Sequence, residues 1–92
     1  MITVELPNVF CSATNPNPLV RIDASCGTVA EALREAGRES PGSLDRIIDE
    51  SGAVRRHVNI FLNGENIRFL DGLDTRVPSD ATIFVLAAVS GG

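Results

Sequence analysis

The stretch HVNIFLNGENIRFL, residues 57–70, decides the fold of this chain. Val58, Ile60 and Leu62 recur at every second position, which is the period of a strand with one buried face. Asn63 and Gly64 follow directly, and Asn-Gly is the strongest short hairpin signal because both turn positions require a positive φ. The stretch therefore predicts two antiparallel strands joined by a two-residue turn.

Three further strands are predicted on either side of this hairpin. ITVEL (residues 2–6) and LVRID (residues 19–23) alternate apolar and polar side chains, and they can pair around the loop SATNPNP. TIFVLAAV (residues 82–89) begins with β-branched and aromatic residues and predicts a last strand.

A helix is predicted between the second and third strands, within TVAEALREAGRES (residues 28–40). Thr28 and Glu31 have capping-box spacing, and Gly37 is expected to end the helix. SLDRIIDE (residues 43–50) predicts a short helical turn, with its acidic residues on a solvated face. The apolar stripe of the main helix contains Val29, Leu33 and Ala36, and the short turn is anchored by Leu44, Ile47 and Ile48.

The order strand, strand, helix, strand, strand, strand predicts an α+β fold. One mixed sheet of about five strands would pack on one main helix, with the first and last strands parallel and adjacent in the middle. The 92 residues contain no repeat, low-complexity tract or linker, so residues 1–92 are expected to form a single domain.

Composition excludes several function classes. The net charge is −4 and the eight cations, all arginine, are scattered in sequence, which disfavours nucleic acid and anionic membranes as partners. No lysine is present, so a modifier that builds chains on itself would have no amine acceptor here apart from the N-terminus, which disfavours that class. Neither a signal peptide nor a membrane span is apparent, and a cytoplasmic location is expected.

The candidate reactive side chains give weak signals. Cys11 and Cys26 would lie about 20 Å apart in the predicted hairpin, which is beyond disulfide reach. Neither cysteine belongs to a CxxC motif or neighbours a histidine, and His57 is interpreted as a residue that opens a strand. We therefore expect no catalytic residue, no metal site and no cofactor within this chain.

The sequence ends in FVLAAVSGG, residues 84–92. Glycine is costly to order and offers no side chain to pack, so a Gly91-Gly92 end requires another explanation than stability. A frayed or truncated end is the alternative explanation.

RRHVNIFLNGENIRFLDGLDT (residues 55–75) together with VLAAVSGG (residues 85–92) resembles the ubiquitin-like β-grasp sulfur carriers of the MoaD/ThiS type. The resemblance extends over essentially the whole chain. It is closest to the subgroup that carries sulfur for cysteine biosynthesis. The features that carry it are the histidine-led strand, the Asn-Gly turn followed by IRF, and the Gly-Gly end.

The resemblance implies a protein co-substrate and not an enzyme. An E1-like adenylating enzyme would use ATP to activate the Gly92 carboxylate, and Gly91 would give the tail access. A sulfurtransferase or other sulfur source would then convert Gly92 into a thiocarboxylate. A sulfur-accepting synthase would use this group to make cysteine, molybdopterin or a related sulfur metabolite.

Strand alternation also predicts a partner-binding surface. If Val58, Ile60 and Leu62 face the helix, then Phe61 faces away from it. If Ile83 and Val85 face the helix, then Phe84 and Leu86 also face away. An exposed apolar patch on so small an acidic protein indicates a docking surface.

Two alternatives to a carrier remain open from the sequence. One is a ubiquitin-like protein modifier, which shares the adenylate chemistry but forms an amide with a target lysine. The other is a non-covalent β-grasp small subunit of a sulfur-inserting enzyme such as molybdopterin synthase.

Overall fold

A computed structural model of the chain describes residues 2–6, 19–22, 27–39 and 42–87. Five strands in these ranges form one sheet with the order β2-β1-β5-β3-β4. The strands are β1 (Ile2–Glu5), β2 (Leu19–Ile22), β3 (Val58–Leu62), β4 (Glu65–Asn66) and β5 (Thr82–Ala87).

The sheet is mixed, as the order of elements predicts. β1 pairs with β5 in parallel, and Val4 lies beside Ile83. The other neighbouring pairs, β1 with β2, β3 with β4 and β3 with β5, are antiparallel. The prediction of about five strands with the first and last adjacent in the middle is confirmed.

The main helix, α1, comprises Val29–Glu39. The Glu31 backbone N–H donates to Oγ1 of Thr28 at 3.3 Å, so Thr28 caps the helix as its spacing predicts. The expected end at Gly37 is wrong, because α1 continues to Glu39. A Cβ atom at position 37 would lie 3.1 Å from Cβ of Leu44, so this glycine allows close packing and does not stop the helix.

The short helical turn is confirmed as α2, Ser43–Ile47. Ile47 is buried, and Leu44 and Ile48 pack partly buried against the core. The interpretation of Asp49 as part of a solvated helix face is wrong. Its Oδ1 accepts hydrogen bonds from the backbone N–H groups of Ser51 (2.9 Å) and Ala53 (3.1 Å), so this carboxylate orders the loop after α2.

The predicted hairpin is present, but its second strand is shorter than expected. Asn63 and Gly64 have φ values of 50° and 86°, as an Asn-Gly turn requires. β4 ends at Asn66, whose Oδ1 accepts a 2.9 Å hydrogen bond from the Arg68 backbone N–H. A 3-10 helix, Ile67–Phe69, replaces the rest of the predicted strand.

The core lies between the inner face of the sheet and the two α-helices. Alternate residues of β3 and β5 enter it, which confirms the inward-facing residues predicted for both strands.

None of the described helices is long and apolar enough to cross a membrane. Cys11 and Cys26 lie outside the described residues, so their separation stays a prediction. Among the described residues, the buried apolar ones are Ile2, Val4, Leu6, Val29, Ala32, Leu33, Ala36, Ile47, Val58, Ile60, Leu62, Ile67, Ala81, Ile83 and Val85.

Candidate functional site

The outer face of β5 carries large apolar side chains. Ile83 and Val85 are fully buried, whereas Phe84 is 37% exposed and Leu86 is 44% exposed. The prediction that these two residues point away from the helices is therefore confirmed. Apolar residues on both faces are typical of a strand that is buried on both sides. The described residues nevertheless leave the outer face of β5 partly exposed.

Phe61 joins the same surface from the neighbouring strand. Phe61 and Phe84 lie opposite each other in the β3–β5 register. Their ring centroids are 6.3 Å apart and the ring planes are tilted by 33°, within the usual range for interacting aromatic side chains. Leu86 is two residues further along β5 and therefore faces the same side. We call Phe61, Phe84 and Leu86 the outer patch.

Two further exposed apolar residues were not indicated by the sequence. Phe69 is 84% exposed and Leu70 is 37% exposed. Strand alternation from Ile67 places Phe69 on the buried face, but the 3-10 helix changes the period and turns this ring outward. The signal that could have indicated the change is Asn66, because an Asn side chain competes with a strand ladder for backbone hydrogen bonds.

Two residues of the outer patch, Phe84 and Leu86, lie on β5, the last described strand. Leu86 immediately precedes Ala87, the last residue of β5. Gly91 and Gly92 lie outside the described residues, so their predicted roles in tail access and activation stay predictions.

Metal-ligating side chains do not converge in the part of the chain that the structure describes. No group of three or more His, Cys, Asp or Glu side chains is placed there to hold a metal ion.

Comparison with known proteins gives the family. A model described as the ThiS family matches residues 10–92. The chain belongs to the ThiS family. Sulfur carrier protein CysO of Mycobacterium tuberculosis is 31% identical over 93 aligned residues, covering 99% of this chain and 98% of the relative. Small archaeal modifier protein 3 of Haloferax volcanii is 37% identical over 65 residues, or 71% of this chain and 70% of the relative.

Solved structures confirm the ubiquitin-like β-grasp fold. The Amycolatopsis orientalis BexX/CysO complex contains a chain with a TM-score of 0.87 and 29% identity, with both chains covered completely. Mycobacterium tuberculosis CysO has a TM-score of 0.85 and 30% identity, covering 97% of this chain and all of that one. The predicted resemblance to the cysteine-biosynthesis subgroup is confirmed, and the relatives, named as carriers and modifiers, support a sulfur-carrier function.

Proposed function

We propose that residues 1–92 act as one carrier domain in the cytoplasm, with the Gly92 carboxylate as the group that is activated and converted to a thiocarboxylate. The observation that supports this most directly is the family match, which extends through residue 92 and thus includes the Gly-Gly end. Similarity to CysO over 99% of the chain agrees with it.

The proposed reaction has two steps on an E1-like adenylating enzyme. A Gly92 carboxylate oxygen attacks the α-phosphorus of ATP, which forms an acyl-adenylate and releases pyrophosphate. A hydrosulfide-level nucleophile from a sulfurtransferase or other source then attacks the carbonyl carbon, and AMP leaves. The resulting thiocarboxylate sulfur is itself a nucleophile and can be delivered to a small-molecule acceptor on a synthase.

This division of work makes the protein a co-substrate. The outer patch would hold the folded domain on the partner, since each large apolar side chain buried at an interface contributes about 1.5–3 kcal/mol. The tail beyond Ala87 would reach the nucleotide, with Gly91 and Gly92 lacking Cβ atoms that a narrow channel would exclude. The ATP site and any sulfur-transfer cysteine would belong to the partners.

Intact-mass spectrometry tests the proposal. Incubation with the matching adenylating enzyme, ATP and a sulfide source should add about 16 Da, because one oxygen is replaced by sulfur. Deletion of Gly92, or extension of the chain beyond it, should abolish the gain. If the truncated protein still gains sulfur, for instance on Cys11 or Cys26, then the assignment to Gly92 is wrong.

A second function is favoured by one relative. Haloferax volcanii small archaeal modifier protein 3 is named as a modifier, and a modifier would share the adenylate but form an amide with a lysine. The absence of lysine here means that any lysine acceptor would be on another protein. Conjugates of higher mass that resist thiols would support this function, whereas accumulation of the free thiocarboxylate supports a carrier.

A third function, a stable small subunit, would require a permanent interface. Copurification with a sulfur-inserting enzyme in fixed stoichiometry, retained when Gly92 is deleted, would support it over a carrier that dissociates after each cycle.

A further inference from the structure

Half of the cations of this acidic chain lie at one end of the sheet, although the sequence scatters them. A surface groove at the start of β3 is lined by Asp45, Arg46, Arg55 and His57. The Arg68 guanidinium reaches the same end, where Nη2 lies 3.5 Å from the Arg56 carbonyl oxygen and 3.4 Å from that of Val58. We call Arg46, Arg55, Arg56 and Arg68 the cationic cluster.

Hydrogen bonds hold Arg55 of this cluster in place. The Arg55 backbone N–H donates to the Ile47 carbonyl at 2.9 Å. The Arg55 Nε donates to the Asp45 carbonyl at 2.8 Å, which fixes its guanidinium against α2. Because these contacts already exist in the unbound chain, less side-chain freedom is lost when a partner binds.

The strand register places the cluster where the chain leaves the sheet. Val58, the first residue of β3, lies opposite Ala87, the last residue of β5, in an antiparallel pair. Residues that precede Val58 therefore lie at the same end of the sheet as the point from which the tail departs. The outer patch reaches this end through Leu86, which lies opposite Asn59.

We propose that the cationic cluster docks onto an acidic protein surface of the adenylating enzyme, beside the entrance through which the tail reaches ATP. This inference rests on the proposed function and adds the chemistry of the partner to it. The outer patch supplies apolar contact, and the cluster fixes orientation and speeds encounter, which is what complementary charge contributes most.

A protein surface fits this cluster better than a nucleotide phosphate does. The four arginines come from three separate segments, and Arg46, Arg56 and Arg68 are exposed. A phosphate site needs donors that converge in a concave pocket, and here the groove also contains Asp45, whose carboxylate would repel a phosphate. Carboxylates spread over a protein surface can pair with arginines that are spread in the same way.

Arg56→Glu is the sharpest test, with Arg34→Glu as the matched control. Both side chains are exposed, and neither makes a hydrogen bond or ion pair with the rest of the described chain. Both variants change the net charge equally, but Arg34 lies on the exposed face of α1 and is not part of the cationic cluster. Melting curves should show both variants folded.

The measurement is the KM for the carrier in ATP–pyrophosphate exchange by the adenylating enzyme. We expect Arg56→Glu to raise this KM about tenfold at low salt relative to Arg34→Glu, with kcat little changed. The difference should largely vanish at about 1 M salt, where charges are screened within about 3 Å.

The outcomes separate this inference from the proposed function. Equal KM values for the two variants, while the wild-type chain gains sulfur at Gly92, overturn the docking role alone. Failure of the wild-type chain to gain sulfur at Gly92 refutes the proposed function itself. Calorimetric titration of the isolated carrier with ATP gives a third arm, because binding that is lost in Arg56→Glu would assign the cluster to phosphates and overturn an acidic protein partner.

Discussion

The two faces of β5 have the same chemistry and opposite surroundings. Ile83 and Val85 are fully buried on the inner face, while Phe84 and Leu86 are 37% and 44% exposed on the outer face. Burial of the inner pair explains why the strand is apolar there, but the fold gains less from Phe84 and Leu86, because part of each side chain remains in water. Folding therefore accounts fully for the inner face only, and the outer face is the one to test for recognition.

Val85→Asp should have the largest effect and tests the inner face. A carboxylate placed at this buried site would lack a partner, which costs several kcal/mol and is comparable with the whole stability of a small domain. We expect loss of the cooperative melting transition by far-UV circular dichroism. Val85→Ala, which leaves only a cavity, should remain folded with a lower melting temperature. A native-like melting curve for Val85→Asp would show that the assignment of faces is inverted.

Phe84→Asp should have the next largest effect and tests the outer face. Because Phe84 is already 37% exposed, the variant should stay folded and its melting temperature should fall far less than that of Val85→Asp. Binding to the adenylating enzyme should weaken tenfold or more, or about 1.4 kcal/mol per decade, through loss of an apolar anchor. Calorimetry or surface plasmon resonance measures this, with Leu86→Asp as a second variant on the same face.

Val85→Asp and Phe84→Asp together show which face of β5 is buried and which one binds a partner. Unfolding of Phe84→Asp would place this ring in the core. Unchanged binding in a folded Phe84→Asp protein would remove the outer patch from the recognition surface and leave the cationic cluster and the tail to account for it.

The faces of these strands could be predicted from sequence because their period of two is uninterrupted. Alternation through Val58, Ile60 and Leu62, followed by Asn63-Gly64, requires only local information. The inward and outward sets of β3 and β5, and hence the geometry of the outer patch, follow directly.

Features that depend on distant contacts could not be predicted in the same way. Gly37 has the local signature of a helix end, but packing against Leu44 determines its role. Phe69 is exposed because Asn66 redirects the backbone after only two residues of β4. The cationic cluster combines residues from α2, the loop before β3 and the 3-10 helix, and only the folded chain brings these segments to one end.

Gly37→Leu should have a smaller effect on stability, and it tests the packing of α1 against α2 on the inner side of the sheet. A side chain at position 37 would press on Leu44, and overpacking costs about 1–3 kcal/mol. Better helix propensity offsets about 1 kcal/mol of that, so we expect a net loss of about 1 kcal/mol in urea unfolding. Partner binding should not change, since the contact lies on the helix side of the sheet.

A double-mutant cycle with Leu44→Ala provides the control. Leu44→Ala removes Cγ and Cδ2, which would lie 3.8 and 3.7 Å from a Cβ at position 37, but it keeps the Cβ at 3.1 Å, so Gly37→Leu should cost less in that background than in the wild-type chain. Stabilisation by the same amount in both backgrounds would show that Gly37 has no role in packing α2 against α1.

Asp49→Asn should have the smallest effect on stability. It tests a polar side chain that orders the loop after α2, in contrast to the apolar side chains of β5. Its Oδ1 accepts hydrogen bonds from Ser51 Oγ (2.6 Å), Ser51 N–H and Ala53 N–H, and the loop that these bonds order leads into Arg55 and Arg56. The hydrogen bond from the Ser51 side chain, followed by that from the Ala53 backbone, lowers the pKa of this carboxyl below its ordinary value of 3.8. Because the pKa of Asp49 is lower in the folded than in the unfolded chain, the charged form contributes stability above about pH 4. This contribution is lost as the pH falls through the folded pKa.

The difference in unfolding free energy between the wild-type chain and Asp49→Asn should therefore be constant near neutral pH and shrink below about pH 4. Asp45→Asn controls for the loss of one negative charge, since its side chain makes no hydrogen bond with the described residues. A difference that is the same at about pH 3 as at about pH 7 would show that the ionised carboxylate does not stabilise this loop.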